Sequence, residues 1–174
     1  MDSAYTTVNT RFGWIIIGAS NKRISFLTLP QPSLQAAFQA AGELSGCAFE
    51  ESPDPLGAFG DLPLKLEHYF NGEHVEFPEE LDLDDDTSFH INIWNLVRTI
   101  PYAEVKSYKW VAERAGRPSA YRAVGQALAH NRFPIVIPCH RVLSADGNLG
   151  GFSGGLELKR RLLELEAKTA CSRV

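Results

Sequence analysis

Cysteine is scarce in this chain, and no two cysteines lie close together: Cys47, Cys139 and Cys171 are widely spaced and odd in number. That spacing excludes a disulfide framework and a CxxC-type zinc site. The five histidines, His68, His74, His90, His130 and His140, add no metal-ligand spacing, so neither metal nor cofactor is expected. Long apolar runs are also missing. The longest near the start, residues 14–18, is strand-sized, far below the ~20 residues of a membrane helix. Met1-Asp2-Ser3-Ala4-Tyr5 has neither the basic flank nor the apolar stretch of a secretory signal. The expectation is a reducing, prokaryote-like cytoplasm and no membrane partner.

Positive charge is scarce too, but only in one part. Residues 1–97 carry 4 Lys/Arg against 15 Asp/Glu, a net −11, whereas residues 98–141 carry 8 against 2, a net +6. The overall −4 therefore hides a basic segment in an acidic chain, the asymmetry of a surface for a polyanion. A merely solvated basic face remains open at this level. An apolar fraction of 44% is ordinary for a globular protein, and 174 residues suffice for one or two domains with a real core.

Residues 11–19 and 23–29 are rich in β-branched and aromatic residues and read as a hairpin turning at Ser20-Asn21-Lys22. Ser33 is placed to cap a helix through Leu34, Ala37, Phe38 and Ala41. Residues 52–60 read as loop, residues 62–70 as helix, and Asn71-Gly72 as a turn. Pro78 and a run of acids mark a boundary within 77–86, dividing the chain into domains 1–84 and 85–174. Thr87 or Ser88 then caps a helix carrying Phe89, Ile93, Leu96, Val97 and Ile100 on one face.

Residues 107–131 have a helix-turn-helix pattern. Ser107 suits an N-cap for a helix to Ala115, Gly116 stops it, and Pro118 suits the first turn of a second helix to about Ala129. The second helix has a core face of Ala120, Val124, Ala127 and Leu128. Its outer face, Tyr121, Arg122, Gly125 and Ala129, lacks the several Arg, Asn or Gln side chains that read bases. Such a bare face suits close approach to a backbone; two ordinary core helices are the plainer alternative.

Residues 133–143 bring Cys139 out of the apolar Ile135-Val136-Ile137, between Pro134 and Pro138, and follow it with His140 and Arg141. A free thiol has a pKa of about 8.5 and is mostly protonated at neutral pH; a nearby histidine or cation makes it a nucleophile. Adjacent side chains do not face each other on a strand or a helix, so His140 acting on Cys139 demands a sharp turn or a bridging water. A final helix, 156 to about 168, has a stripe of Leu158, Leu162 and Leu165, with Glu166 at its edge. Glu166 there is placed either to orient His140 in a Cys-His-acid relay or to sit at the surface, and an inert buried thiol remains open for Cys139.

Taken together, these motifs resemble the O6-alkylguanine-DNA alkyltransferases. Ile137-Pro138-Cys139-His140-Arg141-Val142 resembles the family's active-site signature, and Phe89, Trp94, Ile100-Pro101-Tyr102 and Ser107-Tyr108 its lead-in. Arg122-Ala123-Val124-Gly125 resembles its recognition helix, Gly150-Gly151-Phe152-Ser153-Gly154-Gly155 its substrate loop, and residues 159–166 its last helix, all in order over 87–167. The resemblance implies an α+β fold with a ribonuclease H-like N-terminal α/β domain and a mainly helical, winged-helix-like C-terminal domain. It implies irreversible, one-event transfer of an alkyl group from O6-alkylguanine, and from O4-alkylthymine, in double-stranded DNA to Cys139. In that scheme His140, Glu166, Asn131 and Tyr108 join Cys139 in catalysis. Arg122, Tyr121, Gly125 and Ala129 meet the minor groove of DNA, with Arg122 filling the gap left by a flipped nucleotide. Val142, Phe152, Ser153 and Lys159 bind the substrate, and the protein is a monomer. Phe152 stands where some members carry a Tyr and Ala103 where a Gly is more usual, and the zinc ligands of some members have no counterpart. Three rivals are a non-repairing alkyltransferase-like binder (which commonly has Trp in place of the acceptor cysteine), a sequence-specific transcription regulator and a cysteine hydrolase.

Overall fold

The computed structural model of the chain describes residues 3–45, 50–52 and 55–171; Cys47 lies outside them. The described chain divides into two units, Met1–Asp84 with Arg132–Pro134, and Asp85–Asn131 with Ile135–Val174.

The first unit is a sheet with helices. Strands β1 (Ser3–Thr10), β2 (Gly13–Ser20), β3 (Arg23–Leu27) and β4 (Glu50–Glu51) lie in the order β3-β2-β1-β4. β1 to β3 are antiparallel and β4 runs parallel to β1. The hairpin at Ser20 is present, and Asn21 and Lys22 have φ of 51° and 64°, as the tight two-residue turn between right-twisted strands requires. β1 is a correction to the two-strand expectation: its polar Ser, Thr and Asn residues hide a strand in which only Thr6 and Val8 are buried. Gly18 is needed in β2 because a Cβ there would lie 2.1 Å from the Phe26 ring. α1 (Leu34–Ser45) starts with Ser33 Oγ accepting from Ala36 N and packs Ala37 and Ala41 onto Ile16 and Phe26. α3 (Leu62–Phe70) buries Leu62, Leu66, Tyr69 and Phe70. The 52–60 stretch is not all loop, since Pro55–Phe59 forms α2; five residues are too few to show a helical period. Arg132 O accepts from Leu27 N at 2.8 Å, giving β3 a partner from much later in the chain.

The second unit is mainly helical. α4 (Ser88–Arg98) is capped by Thr87, whose Oγ1 accepts from His90 N, and α5 (Tyr108–Arg114) by Ser107, whose Oγ accepts from Trp110 N. α6 (Tyr121–Ala129) begins after Pro118, so the proline lies in the turn before the helix and not in its first turn. α4, α5 and α6 share a core of Ile93, Trp94, Val97, Val111, Ala112, Val124 and Ala127. Trp94 Nε1 donates to Ala127 O at 2.9 Å, tying α4 to α6. β5 (Lys106–Ser107) pairs in parallel with β6 (Val142–Leu143), bringing the start of α5 beside the segment after the thiol. α7 (Leu156–Cys171) runs beyond the expected end. It buries Lys159, Leu162, Leu165 and Glu166, while Leu158 is only half-buried. Among the described residues no helix is long and apolar enough to cross a membrane.

Candidate active site

Buried Ile135, Val136 and Ile137 anchor the chain entering a single 3-10 turn, Cys139–Arg141. This sharp turn answers the demand posed by two adjacent reactive residues: it sends the Cys139 thiol to one side and the His140 ring to another. Asn131, just past α6, braces the turn. Its Nδ2 donates to Ile137 O at 3.0 Å and to Cys139 Sγ at 3.2 Å. Cys139 is only 6% exposed, and burial pushes its thiol above the ordinary range, against the Asn131 hydrogen bond and the charge of Lys159. The resting group is a thiol in want of a base.

His140 and Glu166 are both wholly buried, so Glu166, expected at the edge of the apolar stripe, lies inside it and not at the surface. His140 Nε2 and Glu166 Oε1 are 2.8 Å apart. Burial alone would raise the Glu166 carboxyl, but the bonds from His140 and Arg141 outweigh it and hold the group well below the usual carboxylate range. Burial pushes His140 below its ordinary value, and Glu166 only partly opposes this. An ionised carboxylate is acceptor-only, so Nε2 carries the proton and Nδ1 of the neutral ring keeps a lone pair. That is the protonation state of a base.

Cys139 opens on a cleft of about 1010 Å³ within the second unit. Of the sequence-predicted residues, Tyr108, Tyr121, Arg122, Gly125, Ala129, Phe152 and Ser153 line it with Cys139. Asn131, His140, Val142, Lys159 and Glu166 do not; they stand behind its wall. Tyr108 Oη donates to Gly151 O at 3.3 Å. Burial, then the neighbouring Cys139, raises the Tyr108 phenol, so it is present as a proton donor. A Cβ at Gly125 would meet only Tyr108 Cε1 at 3.9 Å; packing within the chain does not require a glycine there. Lys159 Nζ donates to Val142 O at 2.7 Å and also to Leu149 O and Gly151 O, which straps the 149–151 loop to β6. Burial lowers its pKa to about 8.

Sequence reasoning missed Lys109, Gln126, Ser144 and Asp146 on the cleft wall, and Arg141 behind it. Arg141 is 7% exposed, donates to Glu166 through Nε and Nη2, and donates to Ile100 O through Nη1 at 2.7 Å. Its signal was present, a cation directly after His140 in an apolar segment. The cleft-wall polar residues carried none: Lys109 and Gln126 lie on α5 and α6 outside their apolar stripes, and Ser144 and Asp146 lie in a loop without a period.

This constellation has known counterparts. The DNA-binding domain of the 6-O-methylguanine DNA methyltransferases matches residues 88–168, and the ribonuclease-like domain of the same proteins matches residues 4–83. The chain belongs to this methyltransferase family. The methylated-DNA–protein-cysteine methyltransferase of Mycobacterium tuberculosis is 49% identical over 119 residues, 68% of this chain and 71% of that one. The enzyme of the same name from Mycolicibacterium paratuberculosis is 38% identical over 164 residues, 94% and 92% of the two chains. The crystal structure of the M. tuberculosis protein in complex with DNA is similar with a TM-score of 0.80 and 37% identity, covering 95% of this chain and 94% of that one. Membership carries the α+β fold, a ribonuclease-like unit before a helical DNA-binding unit.

Proposed function

We propose that this methyltransferase-family chain repairs DNA by moving the alkyl group of O6-alkylguanine onto Cys139, once per molecule. The observation that carries the reading is the wholly buried His140–Glu166 pair directly behind a thiol that opens on a cleft. His140 takes the thiol proton through a bridging water, and Glu166 steadies the imidazolium that forms. The sulfur attacks the alkyl carbon, the S–C bond forms, and the C–O6 bond breaks with its electron pair passing to the guanine. Tyr108 donates a proton to the guanine ring as that charge develops, and solvent then carries the proton that His140 took back to Tyr108, which restores both groups. The product is a thioether and an unmodified guanine, which accounts for a single turnover.

In the same reading double-stranded DNA is the partner. It meets the Tyr121, Arg122, Gly125 and Ala129 face of α6 through its minor groove, with the nucleotide flipped into the cleft. Arg122 fills the vacated stack, and Ser153 and the main chain at Val142 contact the guanine. Phe152 walls the pocket, and Lys159 acts on the substrate indirectly by strapping the loop. O4-alkylthymine is a second substrate. The protein acts as a monomer in the cytoplasm, with residues 1–84 supporting residues 85–174.

Incubation with duplex DNA bearing O6-methylguanine should add one methyl mass, on the peptide containing Cys139, and Cys139→Ala should add none. Folded wild-type protein whose mass stays unchanged would defeat this reading.

A further inference from the structure

Glu166 is held from more sides than the thiol relay needs. Its Oε1 accepts from His140 Nε2 at 2.8 Å and from Arg141 Nη2 at 2.9 Å. Its Oε2 accepts from Arg141 Nε at 3.0 Å and from Ala103 N at 3.0 Å. Arg141 is itself fixed by the Ile100 carbonyl and by the Tyr102 ring, whose centroid lies 5.6 Å from the guanidinium carbon. The transfer chemistry uses Cys139, His140 and Glu166 and leaves this buried guanidinium unemployed.

A buried carboxylate whose neighbour is a histidine and nothing else draws a proton onto the ring, because an ion pair in low dielectric is far less costly than a lone anion. The resulting imidazolium has two donors and no lone pair. It has no means of accepting the thiol proton. A guanidinium beside the carboxylate removes that pull, since it does not give up its own proton in proteins. We propose that Arg141 is a positioning residue for alkyl transfer: by sharing Glu166 with His140 it supplies the carboxylate's counter-charge and leaves the imidazole neutral, aligned and able to act as a base.

The two cations near His140 act in one direction and the carboxylate in the other. Glu166 and Lys159 face it from α7, and Arg141 and Cys139 flank it in its own turn. Burial, Arg141 and Lys159 favour the neutral ring, and Glu166 opposes them. The Ala103 amide contributes a further bond to the carboxylate without adding charge. Ala103 holds a φ of 62°, a conformation that costs an alanine about 1 kcal/mol and that turns its N–H onto Glu166.

The inference rests on the transfer reading, since it assigns a part within that relay, but its primary measurement does not depend on transfer. The full chain, labelled with ¹⁵N at histidine, is followed by NMR from about pH 6.5, the value of an unperturbed histidine, up to about pH 8.5. Wild-type His140 should appear as the neutral ring protonated at Nε2 throughout. Arg141→Met should show the imidazolium at about pH 7 and slow methyl transfer there about tenfold or more, with the loss shrinking as pH rises. Arg141→Lys, which keeps the charge and loses the fork, should keep the neutral ring. A charged His140 in the wild type, or a neutral His140 in folded Arg141→Met, overturns the proposal. Should Arg141→Met not fold, the other two spectra decide it: neutral rings in both sustain it and a charged ring in either defeats it. A wild type with neutral His140 that transfers nothing would count against the transfer reading and leave the assignment of charge standing.

Discussion

Lys159 shows how much one side chain can be asked to do in a small unit. Its ammonium is wholly buried, straps two carbonyls of the 149–151 loop to that of Val142, and lies 5.8 Å from the Tyr108 ring centroid and 5.9 Å from that of Phe152. The strap positions the loop, while the buried charge has a cost. Its pKa falls from 10.5 to about 8 on folding, so below pH 8 both states are protonated and the full penalty, roughly 3 kcal/mol, is present. Between 8 and 10.5 the folded state releases the proton first, the unfolded state binds more protons, and stability rises with pH. Denaturant unfolding of wild type and Lys159→Met across this range isolates the effect from other groups. The wild type should gain on the variant as pH climbs from about 8 to 10; a constant difference would show that Lys159 is not buried as a cation.

At the scale of elements, the geometry of the cleft depends on turns. Gly150 has a φ of 68°, and a Cβ there would lie 2.9 Å from Tyr108 Cε2, 3.2 Å from its Oη and 3.1 Å from Ser144 Oγ. Gly150→Ala should therefore strain the backbone by about 1 kcal/mol and push the Tyr108 ring from its seat. The expected outcome is a lower melting temperature together with methyl transfer slowed about tenfold or more, as for removal of a positioned proton donor. Wild-type transfer by the variant would show that the position of Tyr108 is not critical. The helices with caps and periodic apolar faces, α1, α4 and α5, were readable because Ser33, Thr87 and Ser107 announce their starts. β1 was not, because Thr and Asn on a half-exposed strand leave no alternation to read. The backbone of Ile135 was not either: its burial follows from the apolar run between Pro134 and Pro138, but its φ of 74°, strained for a β-branched residue, is imposed by surrounding packing that no local pattern foretells.

For the whole molecule, charge is divided along the chain, −11 over residues 1–97 and +6 over residues 98–141. Duplex recognition through phosphates releases counterions and weakens steeply with salt, whereas a free base carries no phosphate. Raising the ionic strength should slow repair of duplex O6-methylguanine and leave transfer from free O6-benzylguanine unchanged. Arg122→Ala should likewise depress the duplex reaction more than the free-base reaction; equal losses would remove Arg122 from nucleotide flipping. The sequence by itself determined the β2–β3 hairpin, the capped helices and the final helix, the basic segment, the candidacy of Cys139, His140 and Glu166, and the bare face around Gly125, because capping, periodicity and residue type are local properties. Only the tertiary structure decided that Glu166 is buried and ionised and that Lys159 is a strap. It also decided that Arg141 lies against Glu166 and that the Arg132 carbonyl accepts from β3. Those facts depend on which distant groups share a low-dielectric interior, and nothing local in a chain specifies that.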